Sequence, residues 1–173
     1  GSRDSKRGVV STCSYEARKY GVHSAMPIAQ AVKLCPHGIF IPGNHKKYAA
    51  VSRQIRSVFY QFSPLVEVVS IDEAFLDMTG CEHLYQSLED LGRAVKRKIF
   101  ETVSLTASVG IGPNKFIAKL ASDYRKPDGL VVINPNRGVF VAGWTPDDDD
   151  EVFDLRAIIQ AHAALPIRRA ARP

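Results

Sequence analysis

Cysteine is scarce and poorly spaced for structural work. Cys13, Cys35 and Cys81 are the only three, an odd number without a CxxC pair. Neither a disulfide framework nor a structural zinc site is implied, and the expectation is a reduced, cytoplasmic protein. No apolar run approaches the roughly 20 residues of a membrane helix. The opening residues Gly1 to Arg7 are polar and lead into no signal-type stretch, so no membrane partner is expected. A Walker GxxxxGK[ST] loop is missing, as is GxSxG, and the histidines (His23, His37, His45, His83, His162) stand at no metal-ligand spacing. These gaps argue against P-loop chemistry, a nucleophile elbow and a histidine-built metal centre. What is present is ordinary for a globular chain: 173 residues, 45% hydrophobic and 24% charged, enough for about one domain and an appendage. The net charge of +5 is unevenly spread: the chain is basic through Arg137 and slightly acidic from Gly138 onward. A basic surface suits phosphate, although solvated lysines give the same count.

Hydrophobic periodicity divides the chain. Gly8 to Ser11 reads as extended. Ser14 can cap a short helix from Tyr15 to Tyr20, closed by Gly21, and Pro27 can open a second that stops at Leu34 before Pro36. Asn44 reads as the cap of a longer helix striped by Tyr48, Val51, Ile55, Val58, Phe59 and Phe62. Val66 to Ile71 and Ala74 to Met78 then read as two strands with Asp72-Glu73 at the hairpin tip. A helix carrying Leu84, Leu88, Leu91, Val95 and Ile99 on one face follows, then a strand from Leu105 to Gly110. Asn114 caps another helix that ends near Asp123, and a last short strand covers Leu130 to Ile133. From Asn44 the order is α-β-β-α-β with a small α-β addition. This is an α+β, ferredoxin-like split βαβ arrangement whose first strand is missing, expected to leave a gap inside the sheet. The tail from Gly138 differs in kind. Its run Asp147 to Glu151 reads as solvated, and Val152 to Ala164 as marginally helical.

Three groups of residues have the chemistry to handle phosphate. Asp72 and Glu73, at a tip held by apolar strands, offer hard oxygens suited to Mg2+, though acids are common in turns generally. Tyr15 and Arg18 share a helix face, where a phenol and a guanidinium could grip a triphosphate with help from the Thr12 hydroxyl. An ordinary surface helix would look the same. Lys126 sits in the turn Arg125-Lys126-Pro127-Asp128-Gly129, as a phosphate ligand or a solvated loop lysine. Gly110 to Lys115 joins a strand to a helix N-terminus and is a weak phosphate-loop candidate.

In order along the chain, these segments resemble the Y-family translesion DNA polymerases. The similarity runs through Ser11-Thr12-Cys13-Ser14-Tyr15-Glu16-Ala17-Arg18 with Ser24-Ala25-Met26-Pro27, then Val69-Ser70-Ile71-Asp72-Glu73-Ala74-Phe75-Leu76-Asp77. It continues through Thr106 to Ile111, Asn114 to Ser122 and Lys126-Pro127-Asp128-Gly129, covering about Arg7 to Arg137. The resemblance implies a ferredoxin-like polymerase palm over 47–137 and a small helical fingers subdomain over 1–46; the tail over 138–173 departs from it and is expected to be atypical, frame-shifted and partly disordered. It implies Asp72 and Glu73 as two of three carboxylates of a two-Mg2+ catalytic site, incomplete here. Tyr15, Arg18, Thr12 and Lys126 would then hold the incoming nucleotide, and Gly8, Val9, Val10 and Ser11 would line the surface over the nascent base pair. The implied partners are primer-template DNA and a dNTP, with a sliding clamp for the full-length protein only. The third carboxylate and the ribonucleotide-excluding aromatic would lie before Gly1, and the thumb and little finger beyond Arg137. A polymerase piece inactive alone is therefore the expectation. The alternative is a non-enzymatic remnant that binds nucleotide or nucleic acid or regulates a full polymerase.

Overall fold

The computed structural model describes residues 2–5, 7–133 and 139–143. Its helices are α1 (Tyr15–Arg18), α2 (Ile28–Leu34), α3 (His45–Phe59), α4 (Leu88–Val103) and α5 (Lys115–Tyr124). Its strands are β1 (Val66–Val68), β2 (Glu73–Asp77), β3 (Ser108–Gly112), β4 (Leu130–Val132) and β5 (Val139–Gly143). Side-chain caps set the helix starts. Asn44 accepts from the Lys47 amide at 3.0 Å, Ser87 from Asp90 at 3.1 Å and Asn114 from Ile117 at 2.9 Å. Ser87 also explains why the helix expected to include Leu84 begins at Leu88. Residues Glu82–Leu84 form a separate tight turn that leaves Leu84 exposed.

The five strands make one sheet in the order β1-β2-β5-β3-β4, an α+β arrangement. β5 runs antiparallel to both β2 and β3, with Phe75 and Gly110 flanking Val141 in register. The sheet interior expected to be open is thus filled, by residues of the tail; the tail's other readings, at Asp147 to Glu151 and Val152 to Ala164, lie outside the described residues. One sheet face meets α3 and α4. Ala74, Leu76, Val109 and Ile111 alternate toward that face and pack with Ile55, Val58, Phe59, Leu91, Val95 and Ile99. The other face takes α5, which lies almost on the backbone because β3 offers Gly110 and Gly112 there. A second, smaller core joins Val10, Val22, Met26, Ile28, Ala31 and Cys35 ahead of α3. No helix among the described residues is long and apolar enough to cross a membrane.

Candidate active site

β1 and β2 pair with Val68 opposite Ala74, and the amides of Val69 and Ser70 both donate to the Glu73 carbonyl, at 3.1 and 3.3 Å. The tip is therefore Ser70-Ile71-Asp72, and Glu73 is the first residue of β2 rather than its companion at the turn. Ser70 fixes the tip: its hydroxyl donates to Asp72 Oδ1 while accepting from the Asp72 amide at 3.3 Å. The Arg56 guanidinium of α3 reaches the Ser70 carbonyl at 3.5 Å, so a cation stands at the foot of the same turn. Strand alternation sends Glu73, with Phe75 and Asp77, to the face that α5 covers. There Lys119 donates to Glu73 Oε1, and Lys115 sits 5.7 Å from the Phe75 ring centre. Asp77 is engaged elsewhere: its Oδ1 accepts from the Thr79 amide at 2.9 Å, and the hydrogen bonds from Thr79 hold its carboxyl below the usual range.

Lys126 is not a solvated loop lysine. Its side chain is 6% exposed, and its Nζ lies 2.7 Å from Asp123 Oδ1, itself on a side chain 3% exposed. The other oxygen of Asp123 lies 3.5 Å from Lys119 Nζ. Glu73, Lys119, Asp123 and Lys126 thus form a continuous line of alternating charge from the hairpin to the turn after α5. That turn is strapped down from α4: Lys96 Nζ donates to the carbonyls of Ala107 and Asp128, each at 2.7 Å, and to the Asp128 carboxylate.

On the smaller core, Ser14 caps the single turn of α1, and the Arg18 guanidinium lies 5.6 Å from the centre of the Tyr15 ring. The two residues share a face as their spacing requires, and Thr12 stands exposed just upstream. Cys13 donates to the Val22 carbonyl at 3.2 Å, and burial pushes its thiol above the ordinary range. Residues 8–10 run against 25–28, with Val10 donating to the Met26 carbonyl at 2.8 Å. Val10 turns into the core, so of Gly8, Val9, Val10 and Ser11 it is Val9 and Ser11 that face solvent.

The Gly110 to Lys115 junction is occupied by helix start and packing. Asn114 takes the Ile117 amide as a cap, and the glycines serve the close approach of α5. Lys119, Asp123, Lys96 and Arg56 are the charged groups that motif reading passed over. Asp123 stands four residues after Lys119 and three before Lys126, a spacing visible in the sequence. That Glu73 meets Lys119 depends on how α5 crosses the sheet.

Asp72 at the turn and Glu73 at the start of β2 are adjacent hard oxygen donors, a donor type that fits a Mg2+ ion sharing its remaining positions with water and phosphate. Among the described residues no group of three or more His, Cys, Asp or Glu side chains could hold a metal. In register, Gly143 of β5 stands opposite Glu73.

The sequence profile of the impB/mucB/samB family matches residues 1–123. The DNA polymerase IV of Listeria monocytogenes serotype 4a is 53% identical over 135 residues, which are 78% of this chain and 38% of that protein. The DNA polymerase IV of Ralstonia nicotianae is 50% identical over 143 residues, 82% of this chain and 40% of that one. Among solved structures, an insertion ternary complex of Dbh DNA polymerase superposes with a TM-score of 0.71 at 39% identity, over 78% of this chain and 40% of that one. DinB from Sulfolobus solfataricus does so with a TM-score of 0.70 at 40% identity, over 74% and 38%. The chain spans about two fifths of the length of the relatives it matches.

Proposed function

The chain belongs to the impB/mucB/samB family of Y-family DNA polymerases, and on that premise we propose that it is the nucleotide-handling part of a translesion DNA polymerase. The reaction is attack of a primer 3′-hydroxyl on the α-phosphate of a dNTP paired to the template, with pyrophosphate leaving. The observation that carries this reading is the line from Glu73, next in sequence to Asp72, through Lys119 and Asp123 to Lys126, which links a cation-type carboxylate to a phosphate-type ammonium. The sheet, drawn from 47–137 and completed by β5 from the tail, is then a ferredoxin-like palm, and the smaller core is the fingers within 1–46.

Each residue has a task that its chemistry supports. Asp72 and Glu73 would hold Mg2+, which when bound lowers the cost of the charge that develops on the phosphates. Tyr15 and Arg18 would grip the β- and γ-phosphates, the planar guanidinium bonding two oxygens at once, with Thr12 adding a hydroxyl. Lys126, kept in place by Asp123 and by the turn that Lys96 straps, would add a fixed positive charge on the same phosphates. Val9 and Ser11 would present a small surface to the nascent base pair, which leaves room for a damaged base. Primer-template DNA is the macromolecular partner, and a sliding clamp would bind the longer protein. A second reading is favoured by the register: with Gly143 beside Glu73, the described residues supply two carboxylates, which suits nucleotide binding without turnover.

A dATP titration with Mg2+, read by calorimetry and by thermal shift on the whole chain, tests the site. Saturable binding is expected, with a stabilisation of about 2.7 kcal/mol at a hundredfold excess over Kd. It should weaken at least tenfold in Arg18→Ala and become Mg2+-independent in Asp72→Ala. Primer extension by the same samples separates turnover from binding alone. No saturable dATP signal from a folded chain would remove the site assignments.

A further inference from the structure

Lys119 has no task in the reaction just described and Asp123 only that of holding Lys126, yet the geometry joins the two. Lys119 Nζ lies between two carboxylates, bonded to Glu73 Oε1 and 3.5 Å from Asp123 Oδ2. Asp123 turns its other oxygen to Lys126 at 2.7 Å, and its side chain is only 3% exposed. A buried carboxylate is tolerated where cations meet its oxygens, and here each oxygen faces a different ammonium. The four side chains alternate in sign and sum to zero.

A divalent cation on Glu73 and the ammonium of Lys119, bonded to its Oε1, would be two positive charges on one carboxylate, so each disfavours the other there. Lysine is a point charge on a flexible stem, so it can transfer between acceptors without moving the helix. We propose that Lys119 is a resident counter-ion that occupies Glu73 until a divalent cation binds, and that Asp123 is the positioning residue that receives it. This inference rests on the reading of Glu73 as a metal-holding residue. Asp123 acts through Lys119: its charge draws the ammonium away from Glu73, and the same carboxylate keeps Lys126 at the turn. Loading of the cation and placement of Lys126 are thereby linked through one side chain.

The experiment is Mn2+ binding to the whole chain without nucleotide, followed by electron paramagnetic resonance, with Glu73→Gln marking the portion that depends on Glu73. Lys119→Met is expected to bind that Mn2+ roughly tenfold more tightly, a gain of about 1.4 kcal/mol. Lys119→Arg and Asp123→Glu should return close to the parent affinity. Asp123→Asn should bind about threefold more weakly, and in the Lys119→Met background the same change should have no effect. A purely structural role predicts the opposite pattern, weaker binding in every variant with losses that add. Unchanged or weaker binding in Lys119→Met overturns the proposal, with Lys119→Gln replacing it should the methionine variant lose its native circular dichroism. If Glu73→Gln binds as the parent does, or the parent binds no Mn2+, the metal reading fails and takes this inference with it. Weakening by Glu73→Gln without tightening by Lys119→Met overturns this inference alone.

Discussion

At Gly110 the β-carbon of any other residue would stand 2.1 Å from the Ala118 carbonyl oxygen and 2.2 Å from the Ser122 amide nitrogen. Neither neighbour is a side-chain tip that can swing away, so α5 would have to lift off β3. Gly110→Ala is expected to lower stability by about 3 kcal/mol, read as a lower urea midpoint at an unchanged slope. Asp77 gives a prediction in pH. Its carboxyl is held below the ordinary range by the Thr79 hydrogen bonds, so the folded state favours the charged form. Its stabilising share is present above the unfolded-state value near 3.9 and fades as the pH falls through the lower folded value. Asp77→Asn should therefore flatten the acid limb of a stability-against-pH curve while costing little more near pH 2. The residue types of the candidate site were legible in the sequence, because carboxylates at a turn and a lysine beside proline and glycine are groups that suit phosphate or cation chemistry. Their partners were not. Asp72 meets a serine two residues away, whereas Glu73 meets Lys119 46 residues on, and only the crossing of α5 over the sheet creates that contact.

At the scale of elements, helix ends are local chemistry: the caps at Asn44 and Asn114 were legible in the sequence, whereas the one at Ser87 was hidden by the apolar spacing of Leu84. Asn44, Ser87 and Asn114 all accept the amide three residues on. The Ser87 hydroxyl also donates to Asp90 Oδ2 at 2.9 Å, so the first turn of α4 is closed by two contacts from one residue. Ser87→Ala should cost about 1 kcal/mol, seen as a drop in melting temperature with no change in fold. The other end of α4 carries a cost that can be removed. Ser104 closes the helix in the left-handed region at φ 56°, where a side chain crowds the carbonyl and glycine does not. Ser104→Gly should raise stability by about 0.5 kcal/mol, so the two ends of one helix give shifts of opposite sign in the same melting experiment. Leu84 shows where periodicity misleads. It matches the α4 stripe in spacing, but Ser87 starts the helix after it and a separate turn leaves it in solvent. A cap outranks one more apolar residue in register, because the cap satisfies backbone donors that would otherwise be orphaned.

For the whole molecule, the informative element is β5. Read as sequence, Val139 to Gly143 sits in a stretch that differs in kind from what precedes it, and nothing local says which sheet position it takes. Strand pairing is decided by which edges are open, and here two were: β2 and β3 would otherwise face each other across an empty lane. β5 fills that lane antiparallel to both neighbours, five residues paired on each side. Every amide of an interior strand serves one neighbour or the other, so Val141→Pro must delete a ladder bond at the centre of the sheet. The expected loss is about 3 kcal/mol or more. A shortened chain ending at Ile133 should go further, because it exposes both inner edges together with the apolar face that packs on α3 and α4. Exposed edges of that kind recruit other chains. Sedimentation velocity should show the shortened protein as concentration-dependent oligomers with an earlier melting transition, beside a parent that stays at one size. A shortened chain that remains monomeric, with the parent's melting temperature and native amide protection in β2 and β3, would mean the sheet closes without β5. The strand would then be a passenger in the lane rather than the element that completes it.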